Sequence, residues 1–291
     1  MQSSLAQDSL KESAEAQMDP PPTAQVPEVG IVVPVYRNAE TLQELCCRLR
    51  HVLESQQLPF EIIFVDDACP AGSLAILEQL ALGDPRVAAL ALERNVGQHR
   101  AVLAGLSLVQ GKWVVVMDAD LQDPPEAIPD LLTKMQGGYA AVFAGRCGRY
   151  ESFFRLLTSR LFKGLLHLLC GVPADAGLFV AMNRQMVERL LAFDEPRPFV
   201  VAMIGCTGLP LASIPVLRSQ RLSGHSAYTL WKRFMTGCLA ISWVLTWKWR
   251  RNRQVAKQHV SQAPVRAYIG ARFVSILDGK RSREATPSTR L

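Results

Sequence analysis

Two aspartates one residue apart, Asp118 and Asp120, directly follow the apolar run Trp113 to Met117, and Gln122 lies two residues further on. Carboxylates spaced this way at the exit of a buried strand can hold one hard divalent cation, Mg2+ or Mn2+, and leave coordination positions for phosphate oxygens. A cation there offsets the charge that builds on a departing diphosphate. An Asp-x-Asp pair alone is a weak signal, since many are solvated turns; the strand before it and Pro124-Pro125 after it strengthen the reading. Asp66 and Asp67 end a second apolar run. A carboxylate there can accept hydrogen bonds from a base N–H or ribose hydroxyls, or can cap the next helix. Arg94-Asn95-Val96-Gly97 stands where a helix begins, and a cation beside a helix N-terminus suits a diphosphate; an ordinary turn is the alternative. Pro34 and Tyr36 close a fourth run, where they can wall a nucleobase or belong to the core.

The elements that position these clusters are legible in the hydrophobic pattern. Val29–Val35, Phe60–Val65, Val87–Leu92 and Trp113–Met117 read as buried parallel strands. Glu40–Glu54, Ser73–Leu82 and Gln98–Val109 read as the helices between them, so the chain is α/β with right-handed crossovers. Sheets of this kind bind ligands at the carboxyl ends of their strands. Four polar clusters at four successive strand ends therefore converge on one rim. After Glu126 the pattern loosens: strands are expected over Tyr139–Gly145, Leu178–Met182 and Leu211–Leu217, and amphipathic helices over Ser152–Leu169 and Tyr228–Trp249.

Composition sets outer bounds. The 291 residues are 49% hydrophobic and 20% charged, enough for one sizeable core. Between Arg250 and Leu291 ten Lys/Arg face two Asp/Glu, so the tail carries +8 of a net +6 and the remainder carries −2. The basicity belongs to the tail, which is expected to be disordered and either simply solvated or drawn to an anionic surface. Seven Cys without zinc-site spacing read as reduced thiols of a cytoplasmic protein. Residues 1–28 are polar, rich in Pro and expected to form a disordered leader. The first strand is not followed by a Gly-x-Gly-x-x-Gly, and the chain has neither a phosphate-loop motif nor a Gly-x-Ser-x-Gly elbow. Dinucleotide oxidoreductases, phosphate-loop NTPases and α/β-hydrolases are thereby disfavoured.

Taken in order, the segments resemble a family 2 glycosyltransferase with the GT-A (Rossmann-like) fold. They are most similar to the polyprenyl-phosphate type, such as dolichol-phosphate mannosyltransferase and the bacterial undecaprenyl-phosphate sugar transferases. The matches are Val33–Tyr36, Asp66–Asp67, Arg94–His99, Asp118–Glu126 (DADLQDPPE, the most specific), Gly145–Arg146, Asp175–Gly177 and Arg221–Tyr228. The resemblance implies a GT-A domain over residues 29–228 and inverting transfer from a UDP- or GDP-sugar to a polyprenyl phosphate. It implies nucleotide-sugar contacts from Pro34, Tyr36, Asp67 and Asp118, closure over the donor by Arg221 and Ser226, and a metal held by Asp118, Asp120 and Gln122. Arg94 joins the nucleotide-sugar contacts as the cation at its helix start, and Asn38, where the family has an acid, can still hydrogen-bond to the ribose. Arg146 and Arg149 would grip the acceptor phosphate; Asp175 and Asp120 would be catalytic. A phosphate monoester is largely ionised at neutral pH, so Asp175 can equally orient the sugar or an arginine. This chain departs from the family pattern at Arg37-Asn38 (usually Asn-Glu), Ala68-Cys69 (usually Gly-Ser) and Ala227 (often Lys), changes expected to bear on nucleotide preference.

Phe153–Leu169 carries Arg155, Ser159, Lys163 and His167 as a polar stripe, the profile of a helix lying in a membrane interface or of a core helix with one wet face. Phe234–Trp247 is an uncharged run of fourteen residues, short of the roughly 20 a spanning helix needs. Peripheral attachment to the cytoplasmic face of a membrane is expected, through Trp231, Trp243, Trp247, Trp249 and basic flanks, with no nucleic-acid partner. Alternatively residues 229–249 pack on the catalytic domain or meet a membrane-protein partner. Two competing functions stay open: a glycosyltransferase with a soluble acceptor, and a sugar-nucleotide-binding protein without catalysis.

Overall fold

The computed structural model describes residues 26–147, 164–193 and 195–218, with 242, 244, 246 and 265–269; residues 146, 147 and 265–269 enter through their backbone. Its strands are β1 (Val29–Val35), β2 (Phe60–Asp66), β3 (Val87–Leu92), β4 (Trp113–Val116), β5 (Ala141–Cys147), β6 (Val180–Asn183), β7 (Leu211–Leu217) and β8 (Val265–Ile269). They form one sheet in the order β7-β5-β6-β4-β1-β2-β3-β8. Only β6 and β8 run against the rest, so the carboxyl ends of six strands share one edge.

The central strands are mostly apolar because both faces are covered: all seven residues of β1 and of β2 are buried, the acids Glu61 and Asp66 of β2 included. Side chains alternate between two cores. Ile31, Val33 and Val35 meet helices α1 (Leu42–Ser55), α2 (Ser73–Gly83) and α4 (Ile128–Met135). Val32 meets α3 (Gln98–Leu106), α5 (Arg184–Leu191) and α6 (Val200–Cys206) on the other side. Helix α3 lies close to the sheet because Gly105 faces Val32; a Cβ there would come 2.4 Å from Val32 Cγ1.

The chain reverses its direction of travel across the sheet at β1, which has β2 on one side and β4 on the other. The β1–β4 pairing ends at Val32 opposite Val116, so Pro34 costs no ladder bond to β4 and the two strands part at the rim. Such a reversal opens the crevice in which sheets of this type hold ligands.

The expected α/β architecture is observed, and the first four strands fall within a residue of their predicted limits. Three expectations need correction. Glu28 belongs to the domain rather than to a leader: its N–H donates to the Pro59 carbonyl (2.7 Å) and its carbonyl accepts from Trp113 (2.9 Å). The tail is not structureless throughout, because residues 265–269 pair with β3 as an antiparallel edge strand that takes up backbone groups β3 would otherwise expose. Helix α3 stops at Leu106, with Ser107 as its C-cap, rather than running to Val109. In the run expected to be a last helix, residues 242, 244 and 246 are helical and Val244 is fully buried in the core that holds α3 and α6. That contact favours the packing alternative at this position. Most of the amphipathic segment Ser152–Leu169 lies outside the described residues; 164–170 are helical, with Leu166 in the same core. Among the described residues no helix is long and apolar enough to cross a membrane.

Candidate functional site

At the rim beside the β1–β4 crevice the segment after β4 alternates in burial. Asp118, Asp120 and Gln122 are partly exposed, whereas Ala119, Leu121 and Asp123 are buried. Three oxygen-bearing side chains thus share the open side of one loop. The loop is held by its own turn, with the Gln122 N–H donating to Asp120 Oδ1 (3.1 Å), and from across the crevice by Thr41 Oγ1, 2.5 Å from the Ala119 carbonyl. Gln98 Nε2 donates to Asp118 Oδ1 (2.5 Å), joining this loop to the start of α3. Opposite, Pro34 is buried, Asn38 half-buried, and Tyr36 39% exposed with the Arg37 guanidinium 5.4 Å from its ring centre.

Every loop leaving β1 to β4 contains at least one residue in the left-handed region: Arg37 (φ 61°), Ala68 (φ 50°), Gly97 (φ 90°) and Leu121 (φ 57°). Three of these have side chains, and a left-handed conformation costs such residues about 1–3 kcal/mol each. Strain gathered at one rim is the pattern of a binding site whose backbone is fixed by its surroundings.

Asp66 and Asp67 divide the two roles open to them. Asp66 is structural: Ser73 Oγ donates to its Oδ1 (2.6 Å) and the Cys69 N–H to its Oδ2 (3.3 Å), bracing the loop into α2. Asp67, also buried, accepts the N–H groups of Val96 (2.7 Å) and Gly97 (3.0 Å) and so holds the Arg94–Gly97 turn at the head of α3. Burial raises its carboxyl above the usual carboxylate range, against the lowering effect of those two N–H bonds. Arg94 is exposed beside it. Cys69 reaches the β1 loop, where its sulfur accepts the Arg37 N–H (3.0 Å). The next residue of α3, His99, packs edge-on against Phe199 (centroids 4.7 Å apart), and burial pushes its imidazole down to about 4. Its Nδ1 is buried and has no hydrogen-bond partner among the described residues.

The far side of the rim carries Asp175. Its Oδ2 accepts from Ser213 Oγ (3.0 Å) of β7 and lies against the Cα of Gly145 in β5, where any Cβ would come within 1.8 Å. Gly145 is thus the seat of this carboxylate. Two further acids of DADLQDPPE have partners that sequence reasoning did not single out. Arg218, the residue after β7, pairs in two-pronged fashion with Asp123 (Nε–Oδ1 2.6 Å, Nη2–Oδ2 3.0 Å). Arg48 of α1 does the same with Glu126 (2.9 and 2.7 Å), lowering the Glu126 carboxyl through the hydrogen bond it donates. A usable signal existed for Arg218: it is a charged residue at the carboxyl end of a strand, like the four clusters already identified. Arg149, Arg221 and Ser226 lie outside the described residues, and Arg146 is described by its backbone at the end of β5.

Among the described residues no group of three or more His, Cys, Asp or Glu is arranged to enclose a metal. Two carboxylates and an amide on an open rim instead suit a hard cation that takes its remaining ligands from substrate oxygens.

The family model for glycosyl transferase family 2 matches residues 30–191. The uncharacterized glycosyltransferase YkcC of Bacillus subtilis (strain 168) is 36% identical over 208 residues, covering 70% of this chain and 64% of that protein. The undecaprenyl-phosphate 4-deoxy-4-formamido-L-arabinose transferase of Sodalis glossinidius is 36% identical over 210 residues, 71% and 64% of the two chains. The chain therefore spans a little under two thirds of the length of these curated relatives. Among solved structures, glucosyl-3-phosphoglycerate synthase from Mycobacterium tuberculosis, in complex with Mn2+, UDP and phosphoglyceric acid, superposes with a TM-score of 0.56 at 18% identity, covering 76% of this chain and 78% of that one. The shared GT-A fold puts a sheet of the same kind under both rims. With the matched span reaching from β1 through α5, and so across all four strand-end loops, the chain belongs to glycosyl transferase family 2.

Proposed function

We propose that this protein is a metal-dependent inverting glycosyltransferase, moving a sugar from a UDP- or GDP-sugar to a polyprenyl phosphate at the cytoplasmic face of a membrane. The observation that carries the reading is the alternation that turns Asp118, Asp120 and Gln122 to the open side of the β1–β4 crevice. The activity named for the Sodalis relative, transfer to undecaprenyl phosphate, supports the lipid acceptor.

In this reading Tyr36 and Asn38 line the nucleoside, and Arg94 with the turn braced by Asp67 receives the diphosphate. Mg2+ or Mn2+, held by Asp118, Asp120 and Gln122, would supply positive charge against the departing diphosphate. An acceptor phosphate oxygen attacks the anomeric carbon from the face opposite the leaving group. The bond from that carbon to the diphosphate oxygen breaks, its electron pair leaves with the nucleoside diphosphate, and the configuration inverts. The acceptor's second pKa lies near ~6, so it arrives largely ionised and needs orientation more than a base. Asp175, held by Ser213 on the Gly145 seat, is suited to orient the sugar or a phosphate-binding arginine. Arg146 and Arg149 are assigned to the acceptor phosphate, and Arg221 and Ser226 to closure over the donor, on the family resemblance.

The test is nucleoside diphosphate release from a panel of UDP- and GDP-sugars with Mn2+ or Mg2+, with and without undecaprenyl and dolichyl phosphates, beside Asp120→Ala. Lipid-dependent release that disappears in the variant is the expected result. Release that needs no lipid, or that survives Asp120→Ala, overturns the acceptor or the metal assignment respectively.

A further inference from the structure

We propose that Arg218, clamped on Asp123, is a positioning residue that sets the charge of the Asp118–Asp120 pair and thereby its affinity for a divalent cation. The inference rests on the reading of Asp118 and Asp120 as cation ligands. Asp123 is only 4% exposed and Arg218 20%, so the pair is shielded from solvent and keeps more of its electrostatic reach than a surface pair. The guanidinium meets Asp123 with two donors at 2.6 and 3.0 Å, which fixes its plane as well as its position. It arrives from β7, while the carboxylates arrive from β4, so the contact ties two distant strand ends together at one rim.

Asp123 alone does not account for the charge around Arg218. Burial opposes its ionisation, yet the guanidinium is held above its ordinary range by the Asp123 hydrogen bonds and charge and by the charges of Asp118 and Asp120. Coupling between charges is mutual. A fixed cation that feels Asp118 and Asp120 makes them less attractive to Mn2+ than two isolated carboxylates, while Asp123 works in the opposite sense. The pair together leaves the loop braced and its cation affinity moderate, which suits an ion that takes much of its coordination from the diphosphate.

The two halves of the pair can be separated by the sign of their effects. Mn2+ binding to the full-length chain, without nucleotide, is followed by the loss of the free-ion electron paramagnetic resonance signal. Arg218→Met removes a positive charge and should tighten Mn2+ binding about 100-fold, the effect of one unit charge on a divalent ion ~8 Å away at an effective dielectric of ~30. Asp123→Asn removes a negative charge and should weaken binding by a similar factor. Arg218→Lys keeps the charge without the fork and should stay within about threefold of wild type. A pair that merely props up the loop would weaken binding in all three variants, and that result, or no change in any of them, overturns the proposal. If Arg218→Met does not fold, near-wild-type binding in Arg218→Lys beside weakened binding in Asp123→Asn still decides it, because a mere prop would weaken both. Asp120→Asn separates the two levels: unchanged Mn2+ binding there refutes the cation site itself, whereas lost binding there with same-sign effects in the pair refutes only the role of Arg218.

Discussion

Replacing Gly145 with Ala adds one methyl group, and the structure says where it must go. The new Cβ would lie 1.8 Å from Asp175 Oδ2, 2.6 Å from its Cγ and 3.2 Å from the Ile214 carbonyl oxygen. Carbon–oxygen contacts settle nearer ~3.4 Å, so about 1.5 Å of overlap has to be removed. The strand cannot yield toward β7, because Ile214 O is backbone and already tight, and β5 is locked to β7 from Ala141–Leu211 to Cys147–Leu217. The carboxylate moves instead and abandons its 3.0 Å hydrogen bond from Ser213. Misplacement of a positioning group by ~1 Å costs on the order of 100-fold in rate. Gly145→Ala should therefore lower kcat about 100-fold. The KM for the nucleotide-sugar should stay within about threefold, because the donor crevice at β1–β4 lies beyond β6 from this site.

The assay is steady-state nucleoside diphosphate release, together with thermal denaturation to separate displacement from unfolding; overpacking of this size is expected to cost about 1–3 kcal/mol of stability. Ser213→Ala, which removes only the hydrogen bond, should lose no more than about tenfold. The decisive comparison is a double-mutant cycle. If the glycine acts through Asp175, then Gly145→Ala placed in an Asp175→Ala background should cost almost nothing further. An undiminished loss in that background would refute the reasoning and assign the effect to the β5 backbone or to the neighbouring Arg146.

Other consequences are accessible to simple experiments. His99 is held neutral in the folded chain, with its pKa pushed down by burial to about 4 from the ordinary 6.5. Its contribution to stability is present above about pH 6.5 and is lost as pH falls towards 4, by at most ~3 kcal/mol; urea midpoints at pH 7.5 and 5 should converge in His99→Gln, and an unchanged acid sensitivity would exclude His99 as the source. Asp67→Asn replaces an acceptor of two N–H groups by an amide that can satisfy only one with its oxygen. The variant should lose about 1–3 kcal/mol of stability and bind donor nucleotide more weakly, as read by denaturation and calorimetric titration. Ending the chain at Pro264 removes β8 and bares the β3 edge over Ala89–Leu92; self-association by light scattering should rise relative to the full chain, and a monodisperse monomer would show the edge to be protected by other means.

What was legible in the sequence followed from how locally each feature is encoded. Strands β1 to β4 are apolar runs, interrupted only by Glu61 in β2 and closed by charged or polar clusters, and burial on both faces favours that composition. Helix α6 was missed because Val200–Cys206 is apolar all round and fully buried, so it carries neither helical nor strand periodicity. Helix α5 had a start signal that went unread: Asn183 caps it, its side chain accepting the Met186 N–H at 2.8 Å. The β8 strand was hidden by the charge around it, although Val265, Ala267 and Ile269 alternate with Arg266 and Tyr268 behind Pro264, a strand signature in miniature. The two pairings that organise the acidic loop join residues 95 and 78 positions apart, Arg218–Asp123 and Arg48–Glu126, and no local pattern encodes them.

Those pairings change the meaning of the most specific motif in the chain. DADLQDPPE sets four carboxylates within nine residues, and left to themselves they would repel one another. Their environments divide them. Asp123 faces inward to a buried guanidinium, Glu126 faces α1 across an exposed two-pronged pair, and Asp118 and Asp120 remain on the open side with Gln122. Arginines from outside the motif thus neutralise the two acids that do not face the crevice. Arg48 belongs to the first β–α unit and Arg218 directly follows β7, so the charge of the cation site depends on both ends of the domain. Substitutions at these two arginines should consequently alter cation binding and loop geometry at a distance from any contact with donor or acceptor. The motif is best read as a ligand pair together with its counter-charged anchors, rather than as four equivalent acids.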